Sequence, residues 1–159
     1  DKAELEDGKI VTREVIRHPG GVCVLPLTDK NEVMFVKQFR YPHQTVLLEI
    51  PAGKLDSKDE DPRKAAAREL LEETGAVAEE LIELGMFLPA CAYSDEAIHM
   101  YAAKKLTFRE QKLDADEFLN VFTMPLEQAV QKVLAGEIWD AKTQTALLKV
   151  WLLRQQGRL

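Results

Sequence analysis

Asp61-Pro62-Arg63-Lys64-Ala65-Ala66-Ala67-Arg68-Glu69-Leu70-Leu71-Glu72-Glu73-Thr74-Gly75 is the stretch that decides the fold. Its spacing predicts a helix over Pro62–Thr74. Pro62 suits the first helical position, the acidic run Asp59-Glu60-Asp61 suits the positive end of the helix dipole, and Gly75 is placed to stop the helix. Ala66, Ala67, Leu70, Leu71 and Thr74 form the expected buried stripe, small on one side, so that the helix packs closely on a sheet. Opposite it, Glu69, Glu72 and Glu73 share one face, because residues three and four apart are neighbours on a helix. Like charges so placed repel, and only Arg68 stands near them as a cation. A hard divalent ion such as Mg²⁺ or Mn²⁺ would relieve the repulsion through oxygen ligands. Taken alone, a solvated acidic face on a surface helix is the simpler reading.

Upstream of the helix the period is two. Lys9–Ile16, Val22–Leu27 and Glu32–Phe39 read as strands, punctuated by Pro19-Gly20-Gly21 and Asp29-Lys30-Asn31 as hairpin turns would punctuate them. Residues 1–8 are polar and unpatterned. Val46–Ile50 is a short apolar segment closed by Pro51-Ala52-Gly53. Downstream, strands are expected at Leu81–Phe87, Ala97–Leu106 and Phe118–Thr123, and helices at Leu126–Ala135 and Ala141–Arg154. No repeat, low-complexity tract or linker interrupts the chain, so residues 1–159 are expected to form one α/β domain.

Composition agrees with that class. Of the 159 residues 46% are hydrophobic and 30% charged, which is globular rather than disordered. The net charge of −6 does not suggest a nucleic-acid-binding surface, though it leaves room for a local basic pocket. No apolar run approaches a membrane span and no secretory signal is visible, so no membrane partner and a cytoplasmic location are expected. The sequence begins at Asp1 without a methionine, which leads us to expect a trimmed N-terminal piece. Cys23 and Cys91 match no metal or redox spacing and read as small core residues. His18, His43 and His99 show no ligand spacing. Trp139 and Trp151 read as core or interface, and Tyr41 as turn packing.

Gly53, Glu60 and Arg68-Glu69-Leu70-Leu71-Glu72-Glu73-Thr74-Gly75 closely resemble the Nudix box, a glycine, a glutamate, seven residues and then Arg-Glu-aliphatic-x-Glu-Glu-x-Gly. Two departures are visible. Six residues rather than five separate Gly53 from Glu60, and the position after Gly75 is Ala76 rather than a larger aliphatic. The extra residue falls in a loop, where insertion costs little. The resemblance implies an α/β/α sandwich with a mixed sheet and a loop-helix-loop catalytic motif. It implies that Glu69, Glu72 and Glu73 ligate Mg²⁺ or Mn²⁺ with the carbonyl of Ala52, that Glu72 takes part in catalysis, that Arg68 orients the glutamates, and that Glu60 supports them directly or through water.

Outside the box, Arg13-Glu14-Val15-Ile16, His18-Pro19-Gly20, Val36–Pro42, Leu48–Gly53, Ser94-Asp95-Glu96 and Asp140-Ala141-Lys142-Thr143 are similar to the branch that hydrolyses ADP-ribose and other nucleoside diphosphate sugars. That similarity implies phosphate binding by Arg40, ribose binding by Glu96, nucleoside contacts from Arg13 and Glu14 across a homodimer interface, and a general base on a late acidic loop. Glu117 is the first choice for that base, followed by Asp116 and Asp114. One departure bears on substrate: the branch carries a proline sixteen positions past the motif glycine, where this chain has Cys91, with Pro89 two places earlier. The expected activity is cleavage of ADP-ribose to AMP and ribose 5-phosphate, and this departure keeps broader nucleotide-sugar hydrolysis in play. Another nucleotide sugar such as GDP-mannose, a nucleoside triphosphate or a dinucleotide remains open, as does a non-catalytic nucleotide-binding module.

Overall fold

The computed structural model describes residues 1–110 and 120–159. In chain order the elements are β1 (Lys2–Glu4), β2 (Ile10–Thr12), β3 (Gly21–Pro26), β4 (Glu32–Arg40), a 3₁₀ turn (Tyr41–His43), β5 (Thr45–Glu49), β6 (Ala52–Lys54), α1 (Pro62–Thr74), β7 (Ala76–Phe87), β8 (Ile98–Phe108), β9 (Asn120–Pro125), α2 (Leu126–Leu134) and α3 (Ala141–Gln155).

β3 explains the layering. It lies inside a four-stranded sheet ordered β6-β3-β8-β7, antiparallel to β6 and parallel to β8. Flanked on both edges and covered on both faces, every residue of β3 is buried. Side chains alternate across a strand. Val22 and Val24 therefore join Ala65, Ala66 and Leu70 of α1, with Tyr101 and Ala103 of β8 beside them. Cys23 and Leu25 point the other way, with Met100 and Ala102, onto Ala129, Val130, Ala146, Leu147 and Val150 of α2 and α3. Each Val, Leu or Met side chain so removed from water contributes about 1.5–3 kcal/mol. The result is a helix, a mixed sheet and a helix pair, in that order. A second, antiparallel sheet, β5-β4-β9, stands beside it.

Helix α1 has the expected bounds for the expected reasons. Asp61 caps it by accepting the Arg63 amide at 2.9 Å, Pro62 opens it, and Gly75 (φ 71°) closes it by donating to the Leu71 carbonyl at 2.8 Å. Its buried stripe is rotated from the expected one. Ala65, Ala66, Leu70 and Thr74 are buried together with Glu69 and Glu73, while Ala67 is exposed and Leu71 half-buried. The two glutamates turn inward toward β6, and the helix rolls with them.

The N-terminal reading needs more correction. The expected strand at Lys9–Ile16 shrinks to Ile10–Thr12, and its partner is Lys2–Glu4, inside the stretch read as unpatterned. Pro19-Gly20-Gly21 is not a hairpin turn, because β2 and β3 do not pair; it carries the chain from the ribbon into the main sheet. Asp29-Lys30-Asn31 does turn the chain, with Asn31 at φ 63°, but β3 and β4 belong to different sheets joined by one bridge, Leu27–Val33. Pro51-Ala52-Gly53, read as closing the segment before it, instead runs into the edge strand β6, Ala52–Lys54. Cys91 is exposed in the turn after β7, unlike buried Cys23, and Trp139 is exposed, its indole N–H donating to the Gly136 carbonyl at 2.8 Å. Among the described residues no helix is long and apolar enough to cross a membrane.

Candidate functional site

A cleft of about 510 Å³ opens where β3, β6 and α1 meet the ends of β4 and α3. Gly21, Val22, Ala52, Gly53 and Ile98 give it a small-residue and apolar lining. Glu69, Glu72, Asp56 and Glu96 bring negative charge to it, and Arg40, Lys54, Arg68 and Lys142 bring positive charge.

The acidic part is built on one helix face. Glu69 and Glu73 are 9% and 2% exposed, whereas Glu72 is half-exposed. Glu73 is fixed by β6, its Oε2 accepting the Ala52 amide at 3.1 Å. Glu69 sits against Gly53, where an added Cβ would come within 2.0 Å of its carboxylate. Arg68 binds the cluster together: Nη1 donates to Glu69 at 2.7 Å and to Glu72 at 3.2 Å, and Nη2 reaches the Lys54 carbonyl at 3.3 Å and Glu60 at 3.4 Å. Burial opposes the Arg68 charge, yet Glu69, Asp56 and Glu60 together raise its pKa. Its Nε is buried and makes no hydrogen bond among the described residues. Arg68 thus ties Glu69, Glu72 and Glu60 to one guanidinium. Glu60 closes the preceding loop instead of facing the cleft, since its Oε2 accepts the Asp56 amide at 2.6 Å.

These residues suit a hard divalent cation by donor chemistry. Every candidate donor is an oxygen, two of the carboxylates are buried, and that of Glu69 fills the space a side chain on Gly53 would take. Among the described residues, however, no three acidic, histidine or cysteine side chains converge closely enough to hold an ion, and Glu69 is engaged by Arg68.

The basic part comes from three separate elements. Arg40 ends β4, and its guanidinium forks onto Glu49, Nε to Oε1 at 2.7 Å and Nη2 to Oε2 at 2.6 Å. Lys142, in the first turn of α3, donates to the same Glu49 and to Asp140 at 2.8 Å. Asp140 also caps α3, accepting the Thr143 amide at 2.9 Å. Burial alone would raise the Glu49 carboxyl, but the Arg40 hydrogen bond and the Lys142 charge outweigh it and hold it below the ordinary carboxylate range. The same hydrogen bond raises the Arg40 pKa against its partial burial.

At the other end, Glu96 and His18 line the cleft together, with Nδ1 of His18 3.6 Å from Glu96. The Gly20 amide donates to that Nδ1 at 3.1 Å, and Asp95 accepts the His18 amide at 2.7 Å. That backbone hydrogen bond, ahead of the Arg17 and Lys58 cations, lowers the Asp95 pKa.

Of the residues expected from sequence, Ala52, Glu69, Glu72, Arg68, Arg40 and Glu96 line one cleft, with Glu73 directly behind it. Arg13 and Glu14 do not reach it: both are exposed beside β2, and Arg13 donates to the Thr12 carbonyl. Glu117, Asp116 and Asp114 lie outside the described residues. Sequence reasoning gave no role to Glu49, Lys142 or His18. A signal for Glu49 exists, a charge inside the apolar run Leu47-Leu48-Glu49-Ile50, which a buried strand tolerates only when paired. For His18 the one signal was the branch-like segment His18-Pro19-Gly20, since the histidine itself shows no ligand spacing.

The NUDIX domain family pattern matches residues 17–147. The chain is 43% identical over 149 residues to the ADP-ribose pyrophosphatase of Bacillus subtilis (strain 168), covering 92% of this chain and 80% of that protein. It is 42% identical, with the same coverage, to the methanol dehydrogenase activator of Bacillus methanolicus. Its fold matches the crystal structure of an ADP compounds hydrolase with a TM-score of 0.82 at 24% identity, over 99% of this chain and 86% of that one.

Proposed function

The chain belongs to the Nudix family, and on that premise we propose that its cleft hydrolyses ADP-ribose to AMP and ribose 5-phosphate with Mg²⁺ or Mn²⁺. It is a pyrophosphohydrolase of nucleoside diphosphate sugars. The observation that carries the substrate reading is the pairing of charges in one cleft: the carboxylates of α1, which suit cations, with Arg40 and Lys142, which suit a diphosphate.

Glu69, Glu72, Glu73 and the Ala52 carbonyl would hold the metal. When bound, the metal supplies charge that offsets the diphosphate and lowers the pKa of a water. The protein's own residues do the rest. Arg40 and Lys142 receive the phosphates, and a charge-assisted hydrogen bond is about twice as strong as a neutral one. Glu96 accepts from sugar hydroxyls. Arg68 keeps Glu69 and Glu72 turned to the cleft. In the net reaction water adds its hydroxyl to one phosphorus and its proton to the leaving phosphate oxygen as the bridging P–O bond breaks. We assign proton removal from that water to Glu117, in the acidic sequence Asp114-Ala115-Asp116-Glu117.

We further propose that the working form is a homodimer. Arg13 and Glu14 sit outside their own cleft, and Ile10 on the ribbon, Ile16 after it, and Phe39, Tyr41 and Val46 on the β4–β5 hairpin expose apolar surface. A second copy that covered this surface could bring Arg13 and Glu14 to a nucleoside. Sedimentation of a single species at monomer mass would refute this.

A panel of ADP-ribose, GDP-mannose, nucleoside triphosphates and dinucleotides, assayed with Mg²⁺ and separated by chromatography, tests the substrate. ADP-ribose should give AMP and ribose 5-phosphate in equal amounts and be the preferred substrate. Preference for another member would overturn it, and nucleotide binding without turnover of any would favour a binding module.

A further inference from the structure

Glu49 closes β5 and is 1% exposed, so its charge is out of water. Isolated, such a carboxylate is strongly unfavourable, and apolar residues often replace a buried ion pair without loss of stability. Here it is retained where two cations of the cleft converge on it from different parts of the fold. Arg40 stands four residues along the hairpin from Glu49, since its own cross-strand partner is Thr45. Its side chain runs back along the sheet to fork onto both carboxylate oxygens. Lys142 arrives from α3, 93 residues away in sequence.

The latch is completed next door. Thr143 donates its hydroxyl to Asp140 at 2.5 Å and accepts the Ile50 amide at 2.9 Å, so the residue after Glu49 is also tied to α3. Two protons of the Lys142 ammonium go to Glu49 and Asp140, which leaves one for the cleft that Lys142 lines. Two of the five guanidinium protons of Arg40 are spent on Glu49, and Nη1 makes no hydrogen bond among the described residues. Both cations therefore keep donors for a ligand while their side chains are held still.

We propose that Glu49 is a positioning residue: its buried carboxylate holds Arg40 and Lys142 at fixed places in the cleft so that both meet the diphosphate together. This rests on the reading that those two cations bind the substrate's phosphates. Fixing two long side chains beforehand removes an ordering cost that substrate binding would otherwise bear. The effect belongs chiefly to KM, because the diphosphate is an anion before and during reaction.

The test is a double-mutant cycle on steady-state hydrolysis of ADP-ribose with Mg²⁺, using E49Q, R40A, K142M and the doubles. E49Q should raise KM about tenfold with kcat changed less than about threefold. R40A and K142M should each raise KM, and adding E49Q to either should cost much less than it does alone. Glu49→Asp keeps the charge but withdraws the carboxylate, so it guards against misfolding of E49Q; it should fold and show an intermediate KM. Independent, multiplicative effects of E49Q and the cation variants would overturn the positioning role while leaving the phosphate reading intact. Unchanged KM in both R40A and K142M would overturn that reading and the proposal with it.

Discussion

The carboxylate of Glu69 occupies the space that a side chain on Gly53 would need: a Cβ there would lie 2.0 Å from it. The glycine is required by this approach of α1 to β6, not by backbone strain. Because the obstructed atoms end a flexible side chain, Gly53→Ala should displace the Glu69 carboxylate and spare the helix. We expect kcat/KM to fall roughly tenfold or more, with circular dichroism and thermal midpoint close to those of the parent. A variant with full activity would show that the position of Glu69 is immaterial.

Glu73 is held by the Ala52 amide, and a glutamine can still accept that hydrogen bond. Glu73→Gln should therefore fold normally, yet lose the charge needed beside a cation. Turnover should drop by roughly 100-fold or more and should vanish for the parent in excess chelator. Unaltered turnover in either experiment would contradict the role given to the acidic face.

Acid should weaken the fold through Glu49. Its folded pKa lies below the ordinary 4.5, so as pH falls the unfolded chain takes up the proton first. The stabilisation from its ionised form is present above 4.5 and is lost as pH drops through the lowered folded value. Thermal midpoints measured from neutral pH downward should fall more steeply for the parent than for Glu49→Gln, which starts lower. Parallel curves would remove Glu49 from the acid response.

The two thiols should differ sharply in reactivity. Burial pushes the Cys23 thiol up to about 12, with Lys142 opposing weakly, whereas Cys91 is exposed. The thiolate is the reactive form. Brief alkylation of the native protein should label Cys91 alone by mass spectrometry, and denatured protein should take two labels. Native labelling of Cys23 would contradict the packing of β3 against α3.

What could be read from sequence follows how local the physics is. The bounds of α1 were legible because its cap, its opening proline and its closing glycine all lie within fifteen residues. The Nudix box was legible for the same reason. Which glutamates turn inward was not, because β6 decides that from outside the helix. The partner of β3 depends on long-range register, since β3 pairs with β8, more than seventy residues away, rather than with β2 or β4. Arg40 and Glu96 were identified through segment resemblance. The Glu49–Lys142 contact joins β5 to α3, and no local pattern announces it.

The carboxylates of α1 are held to bind divalent ions against a diphosphate, and crystals soaked with Mg²⁺ and a non-hydrolysable ADP-ribose analogue would test that most directly. Metal density touching Glu69 and Glu73, and bridged to phosphates that also meet Arg40 and Lys142, is the expected result. Bare glutamates beside an analogue bound elsewhere would contradict it.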